Sequence, residues 1–156
     1  MILGKLIDIR KFKENDALKS SNLIRKTLIE INSKHYPDSV INYLVSEFSP
    51  EFMLKLSNER DFFVAAINNR IVGTATLLND YIGTVFVDPE VQGRGIGSKL
   101  METLENLAIQ RKVKALKLHS SISAINFYEK LGYLKGKKNV NEEYGITYEM
   151  IKLILS

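Results

Sequence analysis

The chain has 156 residues, 45% hydrophobic and 26% charged, which fits one domain over residues 1–156 able to bury roughly two thirds of its unfolded surface. Its 22 basic and 18 acidic residues leave a net charge of +4, too mild a bias to imply nucleic acid as partner and equally suited to a small anionic ligand. Cysteine is absent, which excludes disulfides, thiolate metal sites and cysteine nucleophiles, and two histidines alone make a poor metal site, so no metal is expected.

The opening MILGKLIDIRKFK breaks its apolar run with Lys5, Asp8 and Arg10, unlike a signal peptide, and no later stretch approaches a membrane span. A soluble, cytoplasmic protein without a membrane partner is the expectation. Leu6 to Arg10 alternates as a strand, and Asp16 is placed to cap a helical pattern through Leu18, Leu23, Ile24, Thr27, Leu28 and Ile31. His35-Tyr36-Pro37-Asp38 breaks the chain before a second helix over Ser39 to Glu47, and Glu51 to Asn58 reads as a further helical piece after Ser49-Pro50.

Phe62 to Ile67 is rich in aromatic and β-branched residues and predicts a strand, turned by Asn68-Asn69 into Ile71 to Leu78. Asn79-Asp80 turns again into Tyr81 to Val87, which makes three sequential strands an antiparallel meander. From Gly95 or Gly97 to Arg111 the apolar positions Leu100, Met101, Leu104, Leu107 and Ala108 fall at helical spacing. Val113 to His119 alternates as a strand, Ser123 to Leu131 reads as a short helix ended by Gly132, and Tyr133 to Lys137 and Thr147 to Leu155 are strands. The right-handed crossover rule places Tyr81 to Val87 parallel to Val113 to His119, so the fold class is mixed α/β. The polar stretch Gly136 to Gly145 reads as a long exposed turn, and the apolar closing strand Met150 to Leu155 as an edge that pairs across a homodimer.

Between the third meander strand and the long helix lies VDPEVQGRGIGSKL, residues 87–100, with glycines alternating at 93, 95 and 97. A glycine-rich turn opening a helix leaves several backbone N–H groups aimed at one spot, where the helix dipole favours negative charge. A Walker loop needs lysine and then a hydroxyl directly after its last glycine, but Ser98 here precedes Lys99. A dinucleotide fingerprint needs G-x-G-x-x-G, and Ser98 stands at its third glycine.

Gln92, Gly95 and Gly97 instead resemble the signature of the GNAT superfamily of N-acetyltransferases, and Ala124-Ile125-Asn126-Phe127-Tyr128-Glu129-Lys130-Leu131-Gly132-Tyr133 resembles its second signature. The resemblance is strong from Ile71 to Lys137 and weak over the first third. It implies a three-layer fold whose central mixed, mostly antiparallel sheet splays at a parallel strand pair and is flanked by helices. It also implies acetyl-CoA as cofactor, its pantetheine held by backbone groups of Val85, Phe86 and Val87, with the Val87 N–H donating to the thioester carbonyl. The pyrophosphate would lie on Gln92, Gly93, Arg94, Gly95, Ile96, Gly97 and Ser98.

Tyr128 matches the tyrosine that serves the departing sulfur, and Asn126 and Lys130 become candidates for contacts to pantetheine or the adenosine phosphate. Ser121 stands where many relatives carry asparagine. Relatives often place a glutamate on the strand beside the cofactor, but Ile82 to Val87 holds no carboxylate, which leaves His119 as first candidate base with Asp80, Tyr81 and Tyr148 behind it. The implied reaction moves acetyl from acetyl-CoA to a primary amine of a small molecule or peptide by direct attack in a ternary complex. The rivals are a non-catalytic CoA-binding regulatory or partner module and a nucleotide-binding regulatory domain. The acceptor's walls are expected from the first helices and the Gly136 to Gly145 turn.

Overall fold

The computed structural model describes residues 6–155, so the opening segment through Lys5 and the terminal Ser156 lie outside the described residues. A seven-stranded sheet runs in the order β1-β2-β3-β4-β5-β7-β6. The strands are β1 (Asp8–Lys11), β2 (Asp61–Ile67), β3 (Arg70–Leu78), β4 (Tyr81–Val87), β5 (Ala115–Ser120), β6 (Leu134–Asn141) and β7 (Gly145–Leu153). The helices are α1 (Ala17–Glu30), α2 (Asp38–Glu47), α3 (Pro50–Glu59), α4 (Ile96–Gln110) and α5 (Ile125–Lys130). All pairings are antiparallel except β4 with β5.

Strand alternation makes the layers. Phe62, Val64 and Ala66 of β2 face Leu23, Ile24 and Leu28 of α1 and Met53 and Leu56 of α3. Ala65 on the opposite face, with Val72, Ala75 and Leu77 of β3, packs on Leu100, Met101, Leu104 and Ala108 of α4. The meander turns follow from asparagine, which adopts the left-handed region more readily than other side chains: Asn68, Asn69 and Asn79 have φ of 50, 66 and 57°. Ser49 accepts a hydrogen bond from the Phe52 N–H at 3.2 Å and caps α3, with Pro50 in its first turn. Asp16 stands at the cap position of α1 but does not cap it. Its carboxylate, 5% exposed, instead accepts two bonds from Arg10 at 2.7 and 3.0 Å and the Lys13 N–H at 2.8 Å.

Two expectations from the sequence are corrected. Gly136 to Gly145 is not a long turn: β6 continues to Asn141, leaving a tight connection to β7. Nearly every β6 residue is exposed because the strand is an edge open to solvent on both faces, and lysines at 135, 137 and 138 blunt it. Such a strand has no apolar alternation to read. Met150 to Leu155, in turn, is no free edge. β7 is paired to β5 on one side and β6 on the other, which leaves β1 and β6 as the outer strands and removes the expected route to a dimer. Among the described residues no helix is long and apolar enough to cross a membrane, and no cluster of three or more His, Asp or Glu side chains is placed to hold a metal.

Candidate active site

The sheet opens where its parallel pair should close. β4 and β5 meet in register only at Tyr81 and Lys117, where the Lys117 N–H donates to the Asp80 carbonyl at 2.9 Å, and then diverge. The cause lies one strand over. Between Thr74 and Thr76 the β3 ladder steps from Phe86 to Gly83, so β4 carries an extra residue and bulges. Thr84 sits there at φ 52°, an uncommon conformation for a β-branched residue. Two fully buried threonines hold it, Thr74 Oγ1 donating to the Thr84 carbonyl at 2.7 Å and Thr76 Oγ1 to the Gly83 carbonyl at 2.9 Å.

Beyond the bulge the backbone polarity is fixed by Asp88, whose N–H donates to the Val72 carbonyl at 2.9 Å. Antiparallel alternation then turns the N–H and C=O of Phe86 toward β3 and those of Val85 and Val87 into the gap. The Gln92 amide Nε2 donates to the Val87 carbonyl at 3.1 Å, bending the loop back over the strand end. Val85 and Val87 therefore offer gap-facing backbone groups, while Phe86 offers only its side chain, which meets Phe48 edge-on at 5.6 Å.

The loop between β4 and α4 is anchored by a charge cluster that sequence reasoning missed. Asp88, 4% exposed, accepts from the Glu90 N–H, from Lys26 of α1 at 3.0 Å and from Arg70 of β3 at 2.7 Å, and Glu90 binds the same two cations. Burial alone would raise the Asp88 carboxyl, but the Glu90 N–H, Arg70 and Lys26 outweigh it and hold it below the usual carboxylate range. After this anchor Gly93 and Gly95 both take φ of 80°, with no atom within 4 Å of where a Cβ would stand. Gly97 is ordinary helical backbone needed for another reason, since a Cβ there would lie 2.9 Å from Phe127 Cζ. Gly95 caps α4, so the Ile96, Gly97 and Ser98 N–H groups have no helical partner.

These elements line one cleft of about 670 Å³. Of the residues singled out from the sequence, Val85, Phe86, Val87, Gln92, Gly93, Gly95, Ile96, Gly97, Ser98, His119 and Tyr128 line it, together with Ser121 and Tyr81. Arg94, Asn126 and Lys130 are exposed and outside the lining, and two half-buried residues also lie outside it, Asp80, 3.5 Å from Lys117 Nζ, and Tyr148, whose ring lies under Lys135 Nζ. Tyr128, 6% exposed, packs edge-on against Phe127 at 5.0 Å, and burial first, then nearby Tyr81, push its phenol well above the ordinary value. Tyr81 Oη stands 3.5 Å from His119 Nδ1, and burial raises the Tyr81 phenol as well.

The cleft continues past the gap to a second half formed by Leu28, Ile31, Asn32, Tyr36, Leu44, Phe48 and Tyr144. Tyr36 locks this wall to the sheet, donating to the Ile146 carbonyl at 2.6 Å and accepting the Ile122 N–H at 3.1 Å. No local motif marks these residues, which come from α1, the α1–α2 connection, α2 and the residue after it, and the β6–β7 connection, and meet only in the fold. Among the described residues no Asp, Glu, Lys or Arg lines any part of the cleft.

An acetyltransferase (GNAT) domain model matches residues 31–154. N-alpha-acetyltransferase 30 of Schizosaccharomyces pombe is 32% identical over 120 residues, covering 74% of this chain and 76% of that protein. The peptidyl-lysine N-acetyltransferase YjaB of Salmonella typhimurium is 28% identical, covering 71% and 70%. Among solved structures, a GCN5-related N-acetyltransferase from Rhodopseudomonas palustris superposes with TM-score 0.88 at 22% identity over 98% of both chains. The PaiA N-acetyltransferase of Thermoplasma acidophilum, crystallised in complex with coenzyme A, gives 0.80 at 17% identity over 95% of this chain and 99% of that one. With a splayed parallel pair, a glycine loop opening α4 and a domain match over most of its length, the chain belongs to the GNAT acetyltransferases, acetyl-CoA-dependent acyltransferases.

Proposed function

We infer that the protein transfers acetyl from acetyl-CoA to a primary amine by direct attack within a ternary complex. The observation that carries this reading is the continuity of one cleft from the amides at the start of α4, through the β4–β5 gap, to Tyr128 and on to the wall made by α1 and α2. The residues suit the cofactor. The open space over Gly93 and Gly95 beside unpartnered N–H groups fits a diphosphate, and the gap-facing groups of Val85 and Val87 fit an extended amide-bearing arm. The exposed Arg94, Asn126 and Lys130 are assigned to the cofactor's phosphates and adenosine side, outside the cleft.

In the reaction the amine nitrogen bonds to the thioester carbonyl carbon and the carbon–sulfur bond breaks. The Val87 N–H, turned into the gap, would donate to the thioester carbonyl oxygen as it gains charge. Tyr128 hydrogen-bonds the departing sulfur. A phenol raised above its ordinary value of about 10 holds its proton against a thiolate of intrinsic pKa about 8.5, so Tyr128 acts as a fixed donor that stabilises the thiolate. His119, exposed at the cleft beside Tyr81, receives the proton shed by the amine, either directly or through water. With no cysteine in the chain, a thiol acyl-enzyme is excluded, which favours direct attack.

The test is release of free CoA with an amine panel, with both substrates varied. Intersecting initial-velocity lines support the ternary complex, whereas parallel lines contradict it. The absence of a carboxylate from the cleft favours one rival, a non-catalytic CoA-binding module, which predicts CoA uptake and no turnover with any amine.

A further inference from the structure

The acceptor half of the cleft is uncharged, and that selects a substrate. Leu28, Ile31, Leu44 and Phe48 supply hydrocarbon, Phe86 closes on Phe48 at 5.6 Å, and the polar groups present are hydroxyls, the Asn32 amide and His119. Two carboxylates lie close to this wall in the chain without lining it: Glu47 directly precedes Phe48, and Glu143 directly precedes Tyr144, whose ring meets Tyr43 at 5.6 Å. They can attract an ammonium toward the cleft.

Resting on the acetyl-transfer reading, we propose that the acceptor is a primary amine whose nitrogen is its only charge near the reacting end, borne on an apolar body. A second ammonium, as in a polyamine or aminoglycoside, would be desolvated against this wall with no counter-ion. The α-carboxylate of a free amino acid would enter with no arginine or lysine to receive it. An unpaired ion in such surroundings is strongly disfavoured. The single amine gains from the same environment, because desolvation disfavours its ammonium and the free base is the form that attacks. Two sources share this chemistry: a free arylalkylamine, and a peptide N-terminus whose first side chain is apolar.

The experiment measures kcat/KM at fixed acetyl-CoA for phenethylamine, for the tripeptide amide Phe-Gly-Gly-NH2, and for spermidine, kanamycin and free leucine. Calorimetry follows binding of the same amines to CoA-loaded protein. Phenethylamine or the tripeptide is expected to exceed the other three by about tenfold or more in both measurements, and the ratio of those two arms identifies the source. A lead for spermidine, kanamycin or leucine, or no binding of either apolar amine, overturns the proposal. Asn32→Asp adds a carboxylate to the lining with little change of volume and is expected to raise the spermidine-to-phenethylamine ratio about tenfold. An unchanged ratio in a variant that keeps its Tm and CoA affinity also overturns it. Uptake of acetyl-CoA without turnover of any amine refutes acetyl transfer instead, while the calorimetric order of the amines still decides the acceptor chemistry.

Discussion

Substitution of Gly95 separates what the loop needs in order to fold from what it needs in order to bind. Gly95 has φ 80° and ψ 10°, and a Cβ there would meet nothing within 4 Å. The stability cost of Gly95→Ala is therefore purely conformational, about 1–2 kcal/mol for an L-residue in the left-handed region, partly offset by the stiffer unfolded chain. A net loss of about 1 kcal/mol lowers Tm by about 2–4 °C in a chain of this size. Asparagine tolerates that conformation, so Gly95→Asn should recover most of the lost Tm. The empty space over Gly95 is where the diphosphate is proposed to lie, so both variants should bind CoA at least about tenfold more weakly by calorimetry, or about 1.4 kcal/mol. The reasoning is refuted if Gly95→Asn binds CoA like the parent, or if it is as thermally unstable as Gly95→Ala. Gly97→Ala supplies the contrast. Its cost of about 1–3 kcal/mol arises from overpacking against Phe127 and should be relieved by shortening Phe127, not by asparagine.

Further outcomes follow from other parts of the structure. Thr74→Val leaves the Thr84 carbonyl without its buried donor and should lower unfolding free energy by about 1–3 kcal/mol in urea titrations; an effect below about 0.5 kcal/mol would show that the bulge does not depend on that bond. Tyr128→Phe should cut kcat about a hundredfold while Tm and CoA affinity stay near the parent values, and an unchanged kcat would remove the phenol from the reaction. Asp61, held low first by Arg111, and Asp16 and Asp88, whose hydrogen bonds and ion pairs outweigh burial, all titrate below the ordinary carboxylate range in the fold. Depressed folded values stabilise the protein above the unfolded pKa of about 3.9, and that contribution is lost as pH falls below it toward the folded values. Urea midpoints should therefore drop between pH 5 and pH 3, less steeply in Asp88→Asn, and a flat profile would contradict the assignment.

The glycine loop and Tyr128, which the fold brings into one cleft, were legible in the sequence because their determinants are local. Alternating glycines after a strand, and a tyrosine four residues into a short helix, keep their meaning wherever the chain goes. Strands β2 to β4 were legible through aromatic and β-branched runs bounded by asparagine turns, and helix α4 through a 3.6-residue pattern that buries one face. β6 did not, because an edge strand wet on both faces reads as polar loop. Gly97, expected beneath the pyrophosphate, also makes room for Phe127, a contact that depends on how α4 and α5 meet. The Asp88 cluster joins Lys26, Arg70 and Glu90 from three segments, and the acceptor wall joins Leu28, Tyr36, Phe48 and Tyr144 from still more distant ones. No spacing in a single stretch encodes such encounters.

A crystal structure of the protein grown with CoA tests the central claim most directly. The account predicts the diphosphate on the N–H groups between Gln92 and Ser98, the pantetheine arm between β4 and β5 bonded to Val85 and Val87, and the sulfur beside Tyr128. A cofactor bound on another surface, or a β4–β5 gap left empty at saturating CoA, would contradict it.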